Sequence, residues 1–566
     1  MNERRGKIIM TKKMLSMLLI LTMVLTACVS MSGVAFAADQ MNRTNLAVSV
    51  DGKETVTVKG YNASYTYNLY VNMQDFCNAL NGTDKQMDIK YDGEKGGWVV
   101  TTGTAYVPTG GENEKFAVTY TQDPTSGDDA IDLDAPTFYI YGVRQEYRTY
   151  EKDGGLYMKL VDLGLVFGIT TELKSQTELM VDTKTPFVID IKHLDENGYF
   201  SFLHGSLLGN ADTGEILYAC KEDAVTQIAS TSKLMTYLLV QEAIDAGKIA
   251  LDTKVVLSQA VIEEANSEDS TSVFRNNFKL GQEVSVQDLL AGMLLPSANE
   301  CATALAEAVG GTEAKFVKMM NQRAAKLGMK SAKFYNPHGL PNYDASAITA
   351  KRQNSMTASD MFTLVSYLLN NYEAELTAFT AKDAIEIPTV GEDAVANCTY
   401  ATLIYNMGVT GLKTGTTNRS GACIVTVIPV ENNGKTQNLV SVIFGAENNQ
   451  ERYEKSMMLL KYGQQFYAQK AAVYQTKVTA TAKVSSKGTT ISWKKATGES
   501  VDGYVVYRAN KKSGSFKKVS DVKKTSTLNK DLKVGKTYYY KVRGYKNIDG
   551  HKVYTKYSNV VSAKAK

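Results

Sequence analysis

Histidine is scarce in this chain. There are four in 566 residues, His193, His204, His338 and His551, far apart from one another and with no H-E-x-x-H string. That argues against a zinc peptidase and leaves any nucleophile without a histidine motif as its base. Cysteine is almost as sparse, six in all, and no pair has C-x-x-C spacing. Beyond position 37 an odd set remains, Cys77, Cys220, Cys301, Cys398 and Cys423, which is no disulfide framework. No metal or other cofactor is expected. Long apolar runs are also missing, with one exception near the N-terminus, so no later segment is expected to cross a bilayer.

The exception is a targeting segment. Arg4, Arg5, Lys7, Lys12 and Lys13 precede an apolar run from Met14 to Ala27, and Ala35-Phe36-Ala37 offers a small-x-small cleavage site, so residues 1–37 read as a signal peptide. Leu25-Thr26-Ala27-Cys28 offers a second reading, a lipoprotein signal that would leave Cys28 lipidated. Both predict an exported bacterial protein, extracellular or in the cell wall, tethered to the membrane in the second case.

Acidic residues are rare in the C-terminal stretch. Residues 475–566 carry 22 Lys+Arg against 5 Asp+Glu, a net +17, and leave the rest of the chain at −13. A basic tail on an acidic body points to an anionic partner, against the alternative of a merely solvated surface. No nucleic-acid partner is expected.

The length calls for about three or four domains. Residues 40–185 read as β-rich with two short helices, with strand pieces at Val56–Val58 and Trp98–Val100. An internal echo runs through this part. Leu69, Tyr70 and Asp75 recur at the same spacing as Leu156, Tyr157 and Asp162, which suggests a strand feeding a short helix, used twice. Residues 190–472 mix helices with β-rich runs. Leu234, Met235, Leu238, Leu239 and Ile244 fall at helical spacing, Pro296 separates two further helices, and Glu431-Asn432-Asn433-Gly434 is a hairpin turn between strands. Helices packed on an antiparallel sheet, an α+β domain, are the expected outcome. Residues 475–566 change to short strands separated by Lys, Gly and Ser, the pattern of an all-β sandwich.

Three strings carry chemistry. Ser230-Thr231-Ser232-Lys233 opens a helix, so Ser230 and Lys233 share a face and the amine can reach the hydroxyl. The string alone is weak, since Ser492/Lys495, Ser515/Lys518 and Ser520/Lys523 repeat it in the basic tail, and Ser230 could simply cap the helix. A serine needs a base, and a lysine serves near neutral pH only if burial or a second ammonium lowers its ordinary pKa of about 10.4. Lys413, in Lys413-Thr414-Gly415-Thr416, could be that second charge. It could also grip a substrate carboxylate with the hydroxyls of Thr414 and Thr416, while Gly415 leaves room for a substrate strand. Ser297-Ala298-Asn299 sits at a helix junction, where Ser297 could relay a proton to the leaving amine and Asn299 could hold the substrate's backbone and the base lysine. The backbone amides of Ser230 and Thr416 are candidates for an oxyanion hole.

Taken in order, the three strings resemble those of penicillin-binding proteins and class A β-lactamases. Asp212–Tyr218, Ala229–Thr236, Leu295–Glu300, Phe334–Leu340, Gly411–Gly415 and Ser420–Cys423 extend the match. Residues 205–463 thus resemble the serine-type D-alanyl-D-alanine carboxypeptidases. The resemblance implies a penicillin-binding enzyme that removes the terminal D-alanine from peptidoglycan stem peptides through an acyl-serine. Ser230 would be the nucleophile, Lys233 the base, Ser297 and Asn299 the second motif, and Lys413, Thr414, Gly415 and Thr416 the substrate-binding edge. Stem peptides and β-lactam antibiotics would be its ligands. His338, within Asn336-Pro337-His338-Gly339-Leu340, is read as structural.

An endopeptidase or transpeptidase on the same site remains an alternative. A β-lactamase is disfavoured because no E-x-x-L-N string lies between Ser297 and Lys413, and a non-catalytic wall-binding protein because Ser230, Lys233 and Lys413 are all intact. Residues 40–185 resemble the stalk-like domains known as copper amine oxidase N-terminal-like, although no histidine lies there and no copper is expected. Trp493, Gly503–Arg508 and Thr537–Val542 resemble a fibronectin type III domain. No membrane-anchoring amphipathic helix follows it, and the tail could instead hold the enzyme on anionic cell-wall polymer.

Overall fold

The computed structural model describes residues 41–63, 69–116, 137–140, 143–145, 149–152, 154–196, 198–267, 274, 277–341, 353–530 and 532–566. The segment read as a signal peptide, with Cys28 and Ala37, lies outside them. The chain forms two compact units, one comprising the residues before Val188 together with His193–Tyr199, the other Val188–Lys192 and Phe200–Lys566.

The first unit contains a seven-stranded sheet in the order Thr170–Leu173, Glu178–Asp182, Met41–Val50, Val56–Ala63, Leu69–Asn72, Gly155–Lys159 and Thr149–Lys152. The internal echo is two copies of one device. Strand Leu69–Asn72 feeds helix Met73–Ala79, and strand Gly155–Lys159 feeds helix Leu160–Phe167. The two strands pair antiparallel, Val71 opposite Met158. The repeated tyrosines become core, Tyr157 edge-on to Tyr61 at 4.8 Å and Tyr70 edge-on to Tyr150 at 4.9 Å. Asp75 is buried and accepts from the amides of Lys59 and Asn113, so the shared aspartate joins chain segments rather than meeting solvent.

In the second unit, five antiparallel strands lie in the order Ile216–Cys220, Gly205–Asn210, Thr436–Ala446, Gly421–Glu431 and Gly411–Thr417. Alternation along the central strands divides two layers. Val425 and Val427 join a core shared with Leu234, Leu238, Leu289 and Leu305 of the helical layer. From the same strand Thr426 faces the other way, its hydroxyl 2.7 Å from that of Ser456 on the closing helix, Asn449–Gln475. Each such buried Val or Leu contributes about 1.5–3 kcal/mol. The last strand, Gly411–Thr417, is an edge, with one side left open for an extended ligand.

The tail builds two further sheets. One holds Ala480–Ser485, Gly488–Trp493 and Ser526–Asn529. The other holds Lys517–Val522, Gly503–Ala509, Thr537–Ile548 and His551–Tyr554, with Val561–Lys564 also paired to Thr537–Ile548. Trp493, Tyr504, Val506, Tyr540 and Val542 fill the space between them.

This sandwich is docked. The closing helix continues to Gln475, and its last turns receive the tail. The Lys556 amide donates to Tyr474 O at 3.2 Å, the Glu499 amide to Thr476 Oγ1 at 2.9 Å, and the His551 ring meets Phe466 edge-on at 5.4 Å.

Candidate active site

Ser230 lies in a single 3₁₀ turn, Ala229–Ser232, that runs directly into the nucleophile helix, Lys233–Asp245. Its string offers three hydroxyls, and the fold selects one. Thr231 and Ser232 are fully buried and donate back to the chain, to Ile228 O at 2.6 Å and Ala229 O at 2.7 Å. Ser230 is half-buried and makes no cap at the helix start; its Oγ accepts from Lys233 Nζ at 2.9 Å. The turn is tightly held. Ala229 sits at φ 45°, and an added Cβ on Gly339 would fall 2.0 Å from Ala229 O, so only glycine fits there.

Lys233 is 0% exposed. Besides Ser230, its Nζ donates to Asn299 Oδ1 at 2.6 Å and to His338 O at 3.0 Å. Burial pushes its pKa down to about 7, against the opposing pull of Glu300 and Glu264. This geometry decides what the neutral amine does. A neutral lysine has two hydrogens and one lone pair, and the two carbonyl oxygens can only accept. They take the hydrogens, so the lone pair is left facing Ser230 Oγ.

Asn299 opens the helix Asn299–Gly310. Ser297 occupies the junction before it, partly exposed and at φ 74°. Two non-glycine residues at the first two strings, Ala229 and Ser297, thus sit in the left-handed region, at a cost of roughly 1–3 kcal/mol each. His338 meets the base through its carbonyl. Its ring is buried and held neutral, pushed down to about 3 by burial and by Lys233, and its Nδ1 accepts from the Leu340 amide at 3.2 Å.

The edge strand lies against Ser230. An added Cβ on Gly415 would fall 2.7 Å from Ser230 N and 3.0 Å from Thr231 N, so glycine permits the approach. Lys413 is 0% exposed, donates to Thr414 O at 3.1 Å, and is held well below the usual lysine range by burial and by Lys233. Thr416 is exposed at the cleft. Thr414 departs from the expectation that its hydroxyl grips a substrate carboxylate. Its side chain is buried and its Oγ1 lies 2.6 Å from Thr399 Oγ1, so its hydroxyl is engaged by Thr399, whereas Thr416 on the same strand face stays exposed.

One residue of the site was missed by the sequence reading. Arg452, in the first turn of the closing helix and 4% exposed, donates to Thr416 Oγ1 at 2.8 Å and to Gly415 O at 3.4 Å, and its Nη2 donates to Tyr453 Oη at 3.1 Å. It brings a cation beneath the edge strand beside Lys413. No short motif announces it; the available signal was a lone arginine at a helix start following the last strand.

Comparison with known proteins covers the same part of the chain. Residues 204–448 match the protein family described as D-alanyl-D-alanine carboxypeptidase. The chain is 32% identical over 259 residues to the D-alanyl-D-alanine carboxypeptidase DacF of Bacillus subtilis, a match that covers 45% of this chain and 61% of the relative. It is 31% identical over 260 residues to DacC of Escherichia coli, covering 45% and 59%. The chain therefore spans about three fifths of the length of these curated relatives. Among solved structures, penicillin-binding protein D2 of Listeria monocytogenes in a cefotaxime-bound form is 29% identical, with a TM-score of 0.40, covering 46% of this chain and 96% of that one. Residues 204–448 are thus the part of the chain that is similar to the D-alanyl-D-alanine carboxypeptidases.

Proposed function

We propose that the protein is a serine-type D-Ala-D-Ala carboxypeptidase. Ser230 Oγ attacks the carbonyl between the two terminal D-alanines of a stem peptide while Lys233 takes its proton. The amides of Ser230 and Thr416 receive the developing oxyanion. The C–N bond then breaks, the proton passes through Ser297 to the leaving amine, and free D-alanine departs. Water hydrolyses the remaining ester and regenerates Ser230. Lys413 and Thr416, backed by Arg452, bind the terminal carboxylate, with the guanidinium adding charge that Thr416 alone lacks. A β-lactam offers a strained amide to the same serine, so these antibiotics acylate it too.

The observation that carries this reading is the contact set of Lys233, which leaves its lone pair no direction except Ser230 Oγ. The test labels the purified protein with a fluorescent penicillin and assays D-alanine release from a stem pentapeptide. Label and release are expected from the native protein, and neither from Ser230→Ala; an unlabelled native protein would overturn the assignment. An endopeptidase reading is supported by identities of 31% over 222 residues and 28% over 221 residues to the D-alanyl-D-alanine endopeptidases of Pseudomonas aeruginosa and Escherichia coli. Cleavage of cross-linked dimers without D-alanine release would favour it.

The flanking regions are proposed to place this chemistry at the wall. Residues 1–37 export the chain, residues 40–185 serve as a stalk-like spacer, and the three- and five-stranded sheets of residues 475–566 support a fibronectin type III-like module. The net +17 of that module suits an anionic wall polymer.

A further inference from the structure

The docking of the sandwich creates a groove that neither part has alone. The closing helix lines it with Lys470 and Tyr474, the sandwich with Arg543, Lys552, Lys556 and Tyr557. The Arg543 guanidinium lies 3.7 Å from the ring centre of Tyr554 and 4.9 Å from that of Tyr557, and donates from Nε and Nη2 to Tyr507 Oη at 3.0 and 2.7 Å. Two of its five N–H donors are thus spent on a neutral hydroxyl. Among the described residues no carboxylate forms a salt bridge with Arg543 or with Lys556, whose Nζ donates to Gln475 Oε1 at 3.2 Å. The one carboxylate lining the groove among the described residues, Glu215, is engaged by Lys470 at 2.9 Å, and Asp521 is engaged by Lys518 and by the lining residue Lys552 at 2.9 and 3.0 Å.

Like charge also crowds around the groove. Lys541 Nζ lies 3.6 Å from the Tyr557 ring centre, and its pKa is lowered by burial and by Arg543. Cations stacked on tyrosine faces are held in place while keeping donors for a second partner. Tyrosine faces also give sugar or polyol units a surface to lie on. Clefts between domains are common ligand sites.

We infer that the groove between the closing helix and the sandwich is a binding site for an anionic wall polymer, its repeating phosphate or carboxylate groups meeting Arg543 and Lys556 while its sugar or polyol units lie against Tyr474 and Tyr557. The inference rests on the reading of the tail as a polymer-binding module and narrows it from net charge to a place. Because the sandwich is docked on the helix that carries Arg452, the groove holds a fixed position relative to the catalytic domain.

The test uses the full chain, titrated with poly(glycerol phosphate), polygalacturonate and neutral dextran at several salt concentrations. Binding is expected to at least one polyanion and not to dextran. The polyanion bound more tightly identifies phosphate or carboxylate as the charge recognised. Arg543→Gln with Lys556→Gln is expected to weaken binding roughly tenfold and to lower the salt slope by about two. Lys511→Gln with Lys512→Gln removes the same charge from exposed positions outside the groove and is expected to change binding less than about twofold. Lys556→Glu alone, at an exposed position, repeats the groove test with little risk to folding, and penicillin labelling of Ser230 should stay unchanged in every variant. Equal losses from both double variants, or none from the groove variants, would overturn the groove while leaving the polybasic reading standing. A native chain that binds no polyanion would overturn both.

Discussion

The same four-residue spacing occurs in the catalytic domain and in the basic sandwich, with opposite results. Lys233 is fully buried, meets three acceptors, and is pushed down to about 7. Lys518, three residues after Ser515, has a side chain 56% exposed, pairs with Asp521 at 2.9 Å, and is raised by that hydrogen bond. One lysine is prepared to take a proton near neutral pH and the other to keep one. Enclosure and neighbours set the chemistry, and the serine-lysine spacing only makes the contact possible.

The contrast can be broken most severely at the base itself. Lys233→Met keeps length and apolar bulk but removes the lone pair, and acylation by a β-lactam is expected to fall about 10³-fold or more, measured as the second-order labelling rate. Next comes Asn299→Ala, which deletes the acceptor at 2.6 Å and lets the amine turn from Ser230; a fall of roughly 10²-fold is expected in the same assay, with the thermal midpoint recorded to separate folding from chemistry. A subtler change is Glu300→Gln. That buried carboxylate favours the charged form of Lys233, so its loss should move the pH dependence of acylation toward lower pH, read as the midpoint of the rate profile. Lys518→Met closes the comparison, with an acylation rate expected to stay within about twofold of the native value.

Much of this centre was legible in the chain. Ser230, Lys233, Asn299 and Lys413 are announced by local strings, because a helix start, a two-helix junction and an edge strand each impose short-range spacing. What sequence could not supply were facts of long-range packing. Arg452 reaches Thr416 only because the closing helix crosses the back of the sheet. His338 contributes a carbonyl, an atom every residue has, so its side chain misdirected attention from its role. Thr414 shares a strand face with Thr416, yet its hydroxyl is taken up by Thr399, a residue outside the string Lys-Thr-Gly. The repeated Leu-Tyr-Asp units were visible as an echo, but their pairing with each other was not. Likewise the strands of the tail could be read from alternation, whereas its docking depends on Tyr474, Thr476 and Phe466, which look like ordinary helix and linker residues.

The central claim is that Lys233 is a neutral base near physiological pH. Its folded pKa is depressed, so the amine is protonated and inactive below about 7 and available above it. The direct measurement is the second-order rate of Ser230 acylation by a neutral-to-pH penicillin probe, one whose own ionisation is constant, between pH 5 and 9. The rate should rise about tenfold per pH unit on the acid side and level off above a midpoint near 7. A rate still climbing beyond pH 9, as for an ordinary lysine of pKa about 10.4, or one flat across the range, would contradict the account.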